Sequence, residues 1–333
     1  MGFAGDIVQM NVGQILQSPF IPHVDLTGQT IVITGANTGL GFEAAKHFYK
    51  LNVSKLILAC RNMTKGEAAR KAVLASNPTF EGKVEVWPLD MSSFASVLAF
   101  GDRLNSLSRL DAFLSNAGIE TNDYEQFEGH ESVITVNVIS TFLVSMLAIP
   151  KLRETAKAQK RPTRLVVTGS VMHIFAKYQH LVEPGRGRIF SSLDDEKTAD
   201  MSGRYNLSKL MVLLGVRQLA DQLDIGTKQG QGDVIVNCVN PGWCKTELFR
   251  MNTGGLGGKI GLALIGRSAE DGGKTLVHAA VAGKDTHGKY LDACRIKPES
   301  TWVRSKASIE TERRMWLELV EILEAIRPGV TRL

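Results

Sequence analysis

A tyrosine and a lysine, Tyr205 and Lys209, stand four residues apart in the segment YNLSK. Residues 205–223 have a helical pattern, and on a helix this spacing places the two side chains on one face, one turn apart. A tyrosine ordinarily has a pKa of about 10, and a neighbouring ammonium would favour the phenolate and bring that pKa closer to a useful acid–base range. The pair is therefore a candidate for proton transfer, although the spacing alone is a weak motif. The other tyrosines lack a lysine at this spacing; they are Tyr49, Tyr124, Tyr178 and Tyr290.

A glycine-rich turn, GANTGLG at residues 35–41, lies between a strand pattern at 30–34 and a helical pattern at 43–50. Glycines let a pyrophosphate approach the helix N-terminus closely, where unpaired N–H groups and the helix dipole favour an anion. The spacing is G-x-x-x-G-x-G, which differs from the G-x-G-x-x-G dinucleotide fingerprint. An ordinary loop is the alternative, but the position at the first strand–helix junction predicts a dinucleotide site. Its residues are Gly35, Asn37, Thr38, Gly39, Leu40 and Gly41.

Arg61 follows the second strand pattern, about 20 residues beyond Gly41, where a site for NAD places an Asp or Glu on the ribose 2′-hydroxyl. A carboxylate would repel a 2′-phosphate, whereas a guanidinium pairs with it through two donors. Arg61, with Asn62 and Lys65 after it, therefore predicts NADP(H) over NAD(H). The alternative is that Arg61 is a solvated loop residue.

Two more polar segments follow strand patterns, at the carboxyl ends where ligands bind in a parallel sheet. Asp90 follows the third strand, where an adenine ring would lie. Asn116, Ala117 and Gly118 follow the fourth. Either segment alone is also compatible with a cap or a turn.

Short apolar runs alternate with longer helical patterns along most of the chain. The runs lack polar alternation, which indicates strands covered on both faces, and their alternation with helices predicts a parallel sheet. We therefore predict an α/β fold, a Rossmann-like doubly wound parallel sheet in a single domain. The predicted strands are 30–34, 55–60, 83–88, 110–115, 164–168, 233–239 and 289–291, and the helices between them 43–50, 64–76, 93–106, 133–153 and 205–223.

Two appendages flank the predicted domain, which spans residues 25–297. An N-terminal extension, residues 1–24, is expected to be held off by Pro19 and Pro22. A C-terminal appendage, residues 298–333, carries an apolar face between 308 and 327, which favours a helix docked on the core over a partner or membrane helix. That face consists of Met315, Trp316, Leu319, Val320, Leu323 and Ile326.

The composition of the 333-residue chain excludes several classes of protein. Hydrophobic residues make up 44% and charged residues 22%, unlike a disordered chain. A net charge of +5, spread along the chain, does not favour a nucleic-acid binder. Four cysteines without CxxC and seven histidines without HxxxH predict no metal site, no disulfide framework and a cytoplasmic location. The start lacks a signal-peptide n-region, and the longest apolar stretch, 142–150, is far short of the roughly 20 residues of a membrane span.

Taken in order, these motifs resemble those of the short-chain dehydrogenases/reductases. The resemblance covers about residues 28–295 and is carried by TGANTGLG, LDMSS, NAG, Asn137 in VNVIS, Ser170 ending VVTGS, the Tyr205–Lys209 pair and VNPG. It implies a catalytic tetrad of Asn137, Ser170, Tyr205 and Lys209. The cofactor contacts it implies include Met91, Tyr205, Lys209, Pro241, Gly242 and Thr246.

The resemblance also implies a role for each member of the tetrad. Ser170 would orient the substrate oxygen and Tyr205 would exchange the proton. Lys209 would bind the nicotinamide ribose and lower the pKa of the tyrosine. Asn137 would hold a water that links Lys209 to solvent. A turn hydroxyl at Ser170 and an ordinary polar helix residue at Asn137 are the alternatives.

Two segments beside the predicted site bear on the substrate. Residues 171–204 form a long insertion, in which Phe175, Tyr178 and Phe190 either line an apolar pocket or pack in the core. His173 is expected to be structural. Residues 247–266 are rich in glycine and apolar side chains, as a mobile lid would be. Ser268 has the appearance of a helix N-cap.

The insertion and the sequence SAEDGGKTLVHAAV resemble the retinol-dehydrogenase-like branch of the family, which includes fungal tailoring reductases. We therefore expect an NADP(H)-dependent oxidoreductase that interconverts a ketone or aldehyde and an alcohol on an apolar small molecule, as a reductase in secondary-metabolite, polyketide-like biosynthesis. The alternatives are a retinol or lipid alcohol dehydrogenase and a non-catalytic NADP-binding regulator. Homo-oligomers occur in the family, and the sequence leaves the oligomeric state open.

Overall fold

The computed structural model describes residues 2–183, 187–227, 233–246 and 265–333, and its central feature is an eight-stranded sheet. The strand order is β10-β9-β8-β7-β4-β1-β2-β3, and neighbouring strands are parallel except for the antiparallel edge pair of β9 and β10. This order confirms the predicted doubly wound fold. The strands are β1 Thr30–Thr34, β2 Lys55–Cys60, β3 Lys83–Pro88, β4 Ala112–Ser115, β7 Thr163–Thr168, β8 Val234–Asn240, β9 Tyr290–Asp292 and β10 Arg295–Lys297, and a separate hairpin pairs β5 Gln126–Phe127 with β6 His130–Glu131.

Both faces of the sheet are covered, which explains why its central strands have no polar alternation. All residues of β1 are buried. Alternate residues enter different cores: Val32 belongs to one apolar cluster, whereas Ile31 and Ile33 belong to the other. The other strands and the helices on both sides of the sheet supply most of the remaining members of these two clusters.

The helices follow the predicted pattern with small shifts at their ends. The long helix α5 contains a π-helical stretch at Thr135–Ser140. Ser268 caps α9 as expected, because its hydroxyl accepts the Asp271 N–H at 3.0 Å. The helices are α1 Phe3–Leu16, α2 Gly39–Lys50, α3 Met63–Ala75, α4 Phe94–Asn105, α5 Ser132–Gln159, α6 Gln179–Val182, α7 Ile189–Leu193, α8 Met201–Thr227, α9 Ala269–Val281 and α10 Lys306–Ile326.

Helix α5 is long and apolar enough to cross a membrane by length and composition, with a mean hydropathy of 2.1 over its best 18-residue window. That window is entirely buried inside the protein. The core helix of a globular domain passes the same test.

The N-terminal extension is not held off from the domain, and that expectation was wrong. Residues 3–16 form α1, which packs against the body of the protein. The carboxylate of Asp6 is buried and accepts hydrogen bonds from the Thr301 N–H and hydroxyl. Helix α1 was not predicted because it contains two glycines and has no side-chain N-cap. Tertiary contacts, rather than local sequence signals, stabilise this helix.

The C-terminal appendage docks on the core as predicted. Met315, Trp316, Leu319 and Leu323 of α10 are fully or almost fully buried. The Trp316 ring meets Phe142 of α5 edge to face, with 5.6 Å between the ring centres. Of the expected lid, residues 247–264 lie outside the described part of the chain.

Candidate active site

Tyr205 and Lys209 lie on the first turns of α8, beside the end of strand β7. Both side chains are buried. The Tyr205 hydroxyl is hydrogen-bonded to the side chain of Ser170, two residues beyond β7. The Lys209 ammonium donates to the Thr168 carbonyl at 2.8 Å and lies 5.6 Å from the centre of the Tyr205 ring. The structure therefore brings together Ser170, Tyr205 and Lys209, as the sequence predicted.

The electrostatics of this pair are governed by burial. Loss of hydration raises the pKa of Tyr205 well above its ordinary value, and the nearby carboxylate of Glu120 raises it further, while the hydrogen bond to Ser170 opposes both. Burial also lowers the pKa of Lys209 to about 8. The expectation that the pKa of Tyr205 is lowered is not met in the protein without ligand, because desolvation by burial is the largest effect on this group and raises its pKa.

Asn137 lies on the π-helical stretch of α5, and its amide ties three elements together. Its Oδ1 accepts the Ile119 N–H at 2.8 Å, and its Nδ2 donates to the Ile119 carbonyl at 2.9 Å and to the Ser208 hydroxyl at 3.0 Å. The Ser208 hydroxyl in turn donates to the Tyr205 carbonyl at 2.7 Å. Asn137 thus positions the α8 turn that carries Tyr205 and Lys209; its predicted link to a water stays a prediction.

The glycine-rich turn joins β1 to α2 beside the same sheet edge. Gly35 has φ +65°, and a Cβ there would lie 3.0 Å from the Ala117 Cα. The Thr34 hydroxyl accepts the N–H groups of Asn116 and Ala117, each at 2.9 Å, so the NAG segment braces the turn. A Cβ on Gly41 would lie 2.7 Å from the Gly35 carbonyl oxygen, so Gly41 serves close packing.

A cavity of about 260 Å³ runs from this turn to the tyrosine and the lysine. Its wall contains backbone from Gly35, Gly118 and Gly242, and the side chain of Thr38 makes no capping bond to α2. A glycine-walled groove at an uncapped helix start fits a dinucleotide pyrophosphate. Predicted residues on this wall are Gly35, Asn37, Thr38, Gly39, Leu40, Asn116, Ala117, Gly118, Ser170, Tyr205, Lys209, Pro241, Gly242 and Thr246.

A second cavity, of about 230 Å³, adjoins the first and shares Gly35, Asn37, Ala117 and Gly118 with it. Arg61 and Asp90 line it, at the ends of β2 and β3, with Met91 beside them. The Asp90 carboxylate accepts the Ser92 N–H at 3.0 Å and the Ser92 hydroxyl at 2.7 Å. The two cavities together form one groove across the carboxyl ends of the strands, with Arg61 at one end and Tyr205 at the other.

Comparison with known proteins agrees with this arrangement. Residues 29–173 match the short chain dehydrogenase family model. The chain is 40% identical over 321 residues to the short chain dehydrogenase/reductase dmxR8 of Cryptosporiopsis sp.. The aligned region covers 96% of this chain and 97% of that protein. The chain belongs to the short-chain dehydrogenase/reductase family. The short-chain dehydrogenase anuD of Penicillium roqueforti is also 40% identical, over 95% of this chain and 83% of that protein.

The fold of this short-chain dehydrogenase/reductase is that of solved members. Salutaridine reductase from Papaver somniferum superposes with a TM-score of 0.59 at 22% identity, covering 79% of this chain and 99% of that one. The family consists of oxidoreductases that use a nicotinamide cofactor and act on small molecules. The groove described above is where this family member would hold that cofactor.

Three residues predicted to bind cofactor lie outside the walls of both cavities: Gly41, whose role in close packing is described above, Asn62 and Lys65. The Asn62 side chain caps α3 by accepting the Lys65 N–H at 2.9 Å. Lys65 itself is exposed on the first turn of α3. Asn62 and Lys65 are near Arg61 in sequence, but the Asn62 side chain bonds to the start of its own helix.

The aromatic residues of the insertion pack against the two appendages. Tyr178 stacks on Trp302 with 4.5 Å between ring centres, Phe175 meets Phe3 edge to face, and Phe190 is buried in the core. His173 is structural as expected: its Nδ1 pairs with the Ser170 carbonyl at 2.8 Å and its Nε2 accepts the Ser300 N–H at 3.3 Å.

Three residues of the first cavity were missed by sequence reasoning: Thr168, Gly169 and Cys244. Thr168 is the last residue of the predicted strand 164–168 and Gly169 follows it, so their position at a strand end was the available signal. Cys244 is brought into the wall by a bridge to Arg267, for which the sequence carries no signal.

Proposed function

We propose that this protein is an NADP(H)-dependent reductase that interconverts a ketone or aldehyde and an alcohol on an apolar small molecule. The observation that carries the proposal is the continuous groove that begins at the glycine-rich turn and ends at the hydrogen-bonded Ser170 and Tyr205. A hydride donor held in the groove and a proton donor at its end are the two components that carbonyl reduction needs.

The roles of the side chains follow from their contacts. The bound cofactor supplies the hydride to the carbonyl carbon. Tyr205 donates its proton to the carbonyl oxygen, so that the C=O π bond breaks while one C–H and one O–H bond form. Ser170, already paired with Tyr205, orients that oxygen. Lys209, anchored on the Thr168 carbonyl, would bind the ribose of the cofactor.

The protonation state of Tyr205 suits the donor role in carbonyl reduction. Burial raises its pKa above the ordinary value, so the phenol keeps its proton at neutral pH in the protein without ligand.

The NADP(H) preference rests on Arg61. It lines the end of the groove at the carboxyl end of β2, where a ribose 2′-phosphate would be held, and its guanidinium pairs with phosphate. Asp90, whose carboxylate lines the same cavity, lies just beyond the end of β3 and accepts hydrogen bonds from the Ser92 N–H and hydroxyl.

An apolar substrate fits the tyrosine end of the groove. Among the described residues, Lys209 is the one charged side chain lining this cavity, and Cys244 adds apolar wall. The similarity to dmxR8 and anuD supports a place among tailoring reductases of secondary metabolism, rather than among retinol or lipid alcohol dehydrogenases.

The test is turnover of NADPH with a panel of apolar ketones and aldehydes, using wild type, Tyr205→Phe and Tyr49→Phe. Tyr205→Phe should lose at least about 100-fold in kcat and still bind NADPH, because it loses the transferable proton and little volume. Tyr49→Phe is the matched control, since its hydroxyl donates to the Phe80 carbonyl at 2.7 Å, outside both cavities. Retained turnover in Tyr205→Phe refutes the mechanism, and NADPH binding by wild type without turnover of any member of the panel supports a non-catalytic regulator instead.

A further inference from the structure

Helix α1 ends against the segment that follows β8, at the tyrosine end of the groove. This segment, Pro241 to Thr246, contributes Pro241, Gly242 and Thr246 to the wall of the first cavity. The contacts join residues more than 220 positions apart in sequence, so they are purely tertiary.

Gln14 of α1 makes three hydrogen bonds with two chain segments, one at Trp243 and one at Ile265. Its Oε1 accepts the Trp243 N–H at 2.9 Å, and its Nε2 donates to the Trp243 carbonyl at 3.1 Å and to the Ile265 carbonyl at 2.8 Å. One side-chain amide thus satisfies both backbone groups of Trp243 and also ties that residue to Ile265.

Arg267 reinforces the same junction from the other side. Its guanidinium donates to the carbonyls of Gly13 and Gln17, at the C-terminal end of α1, and to the Pro241 carbonyl at 3.3 Å. A cation at this end of a helix satisfies its last carbonyls and opposes the negative end of the helix dipole. The Arg267 N–H also donates to the Trp243 carbonyl at 2.8 Å.

Helix α1 is also linked to the backbone of Gly242 through Asp292 and Asn240. A Cβ on Gly13 would lie 2.2 Å from Asp292 Oδ2, so only glycine permits this contact. The other oxygen of Asp292 accepts the Asn240 amide at 2.9 Å, and Asn240 Oδ1 accepts the N–H groups of Val171 and Gly242. A chain of contacts therefore runs from α1 to the segments on both sides of the candidate site.

We propose that Gln14 is a positioning residue of the active site, which fixes the backbone of Trp243 and thereby the Pro241–Gly242 wall against which the nicotinamide end of the cofactor rests. The N-terminal helix is then a working part of the enzyme and not an appendage. The assignment rests on the proposed function only for the ligand, because the contacts themselves belong to the protein.

The test compares Gln14→Ala and Gln14→Met with Gln9→Ala. Met keeps the length of the side chain but makes none of the three bonds. Gln9 is the matched control, since it lies on α1, is half-buried and donates to the Pro298 carbonyl at 2.9 Å, outside the walls of the two cavities that form the groove. Backbone amide exchange at Trp243 and Arg267 reports the wall without any turnover, and NADPH affinity and kcat report the site.

Both Gln14 variants should exchange these amides at least about 10-fold faster and bind NADPH about 3- to 10-fold more weakly, whereas Gln9→Ala should match wild type. Unchanged exchange in Gln14→Met, or faster exchange with unchanged NADPH affinity and kcat, overturns the assignment. A wild type that binds NADPH but reduces no carbonyl refutes the proposed function alone, because the exchange and affinity results still decide the role of Gln14.

Discussion

Replacing Arg61 by Ala or Asp tests the assignment of NADP(H). Arg61 is exposed and lines the cavity at the end of β2. A hydrogen bond to a charged group contributes about 1.5–3 kcal/mol, and exposure to solvent reduces that to about 1–2 kcal/mol. This corresponds to about a 5- to 30-fold higher KM for NADPH in Arg61→Ala.

Arg61→Asp should raise the KM for NADPH further, because the carboxylate repels the 2′-phosphate, while the KM for NADH changes less than about 3-fold. The assay is kcat/KM with each cofactor at a fixed carbonyl concentration, at low and high salt. Since the lost interaction is between exposed charges, the NADPH penalty should shrink in about 0.5 M NaCl.

Arg70→Ala is the matched control for this series. Arg70 pairs with Glu67 at 2.7 Å on α3 and does not line either cavity, so its removal should change neither KM by more than about 2-fold. An Arg61→Asp variant with the wild-type NADPH/NADH ratio would show that the 2′-phosphate is bound elsewhere or not at all.

Three further outcomes follow from the structure. Burial lowers the pKa of Lys209 from 10.5 to about 8, so the unfolded state binds more protons than the folded state between these pH values. As the pH rises through this range, the unfolding free energy of wild type should therefore increase by up to about 3 kcal/mol relative to that of Lys209→Met, as measured by urea titrations. A constant difference would contradict the buried ammonium. Gly35→Ala places a Cβ 3.0 Å from the Ala117 Cα at φ +65°, so fluorescence titration should show at least about 10-fold weaker NADPH binding, and unchanged binding would argue against the turn as the phosphate site. Trp316→Ala leaves a cavity beside Phe142 and should lower the free energy of unfolding by about 3–5 kcal/mol; a cost below about 1 kcal/mol would mean that α10 does not complete the core.

Most of the sheet could be predicted because strands buried on both faces are short, continuous apolar runs. The limits of β1, β2 and β3 were predicted to the residue. The antiparallel strand β10 and the β5–β6 hairpin were missed, because Arg295–Lys297 and the two-residue hairpin strands have no apolar run to mark them.

The candidate site was predicted to the extent that its residues follow strand ends or share a helix face. Tyr205 and Lys209 lie on the same face of α8 because a four-residue spacing on a helix is local geometry. Gly35 and Arg61 line the same cavity because parallel strands end at one edge of the sheet. The pKa of Tyr205 was not predictable in this way, because it depends on how much water the folded chain excludes.

Most of the central strands, the glycine-rich turn and the helical spacing of the proton-transfer pair could be predicted, since each is set by residues close together along the chain. The sequence carries no signal that the aromatic residues of the insertion pack against the appendages or that Gln14 reaches Trp243, and only the folded chain shows these contacts. The physical reason is that hydrogen bonds and burial between distant segments depend on how the complete chain packs, and a local pattern carries no record of the partner.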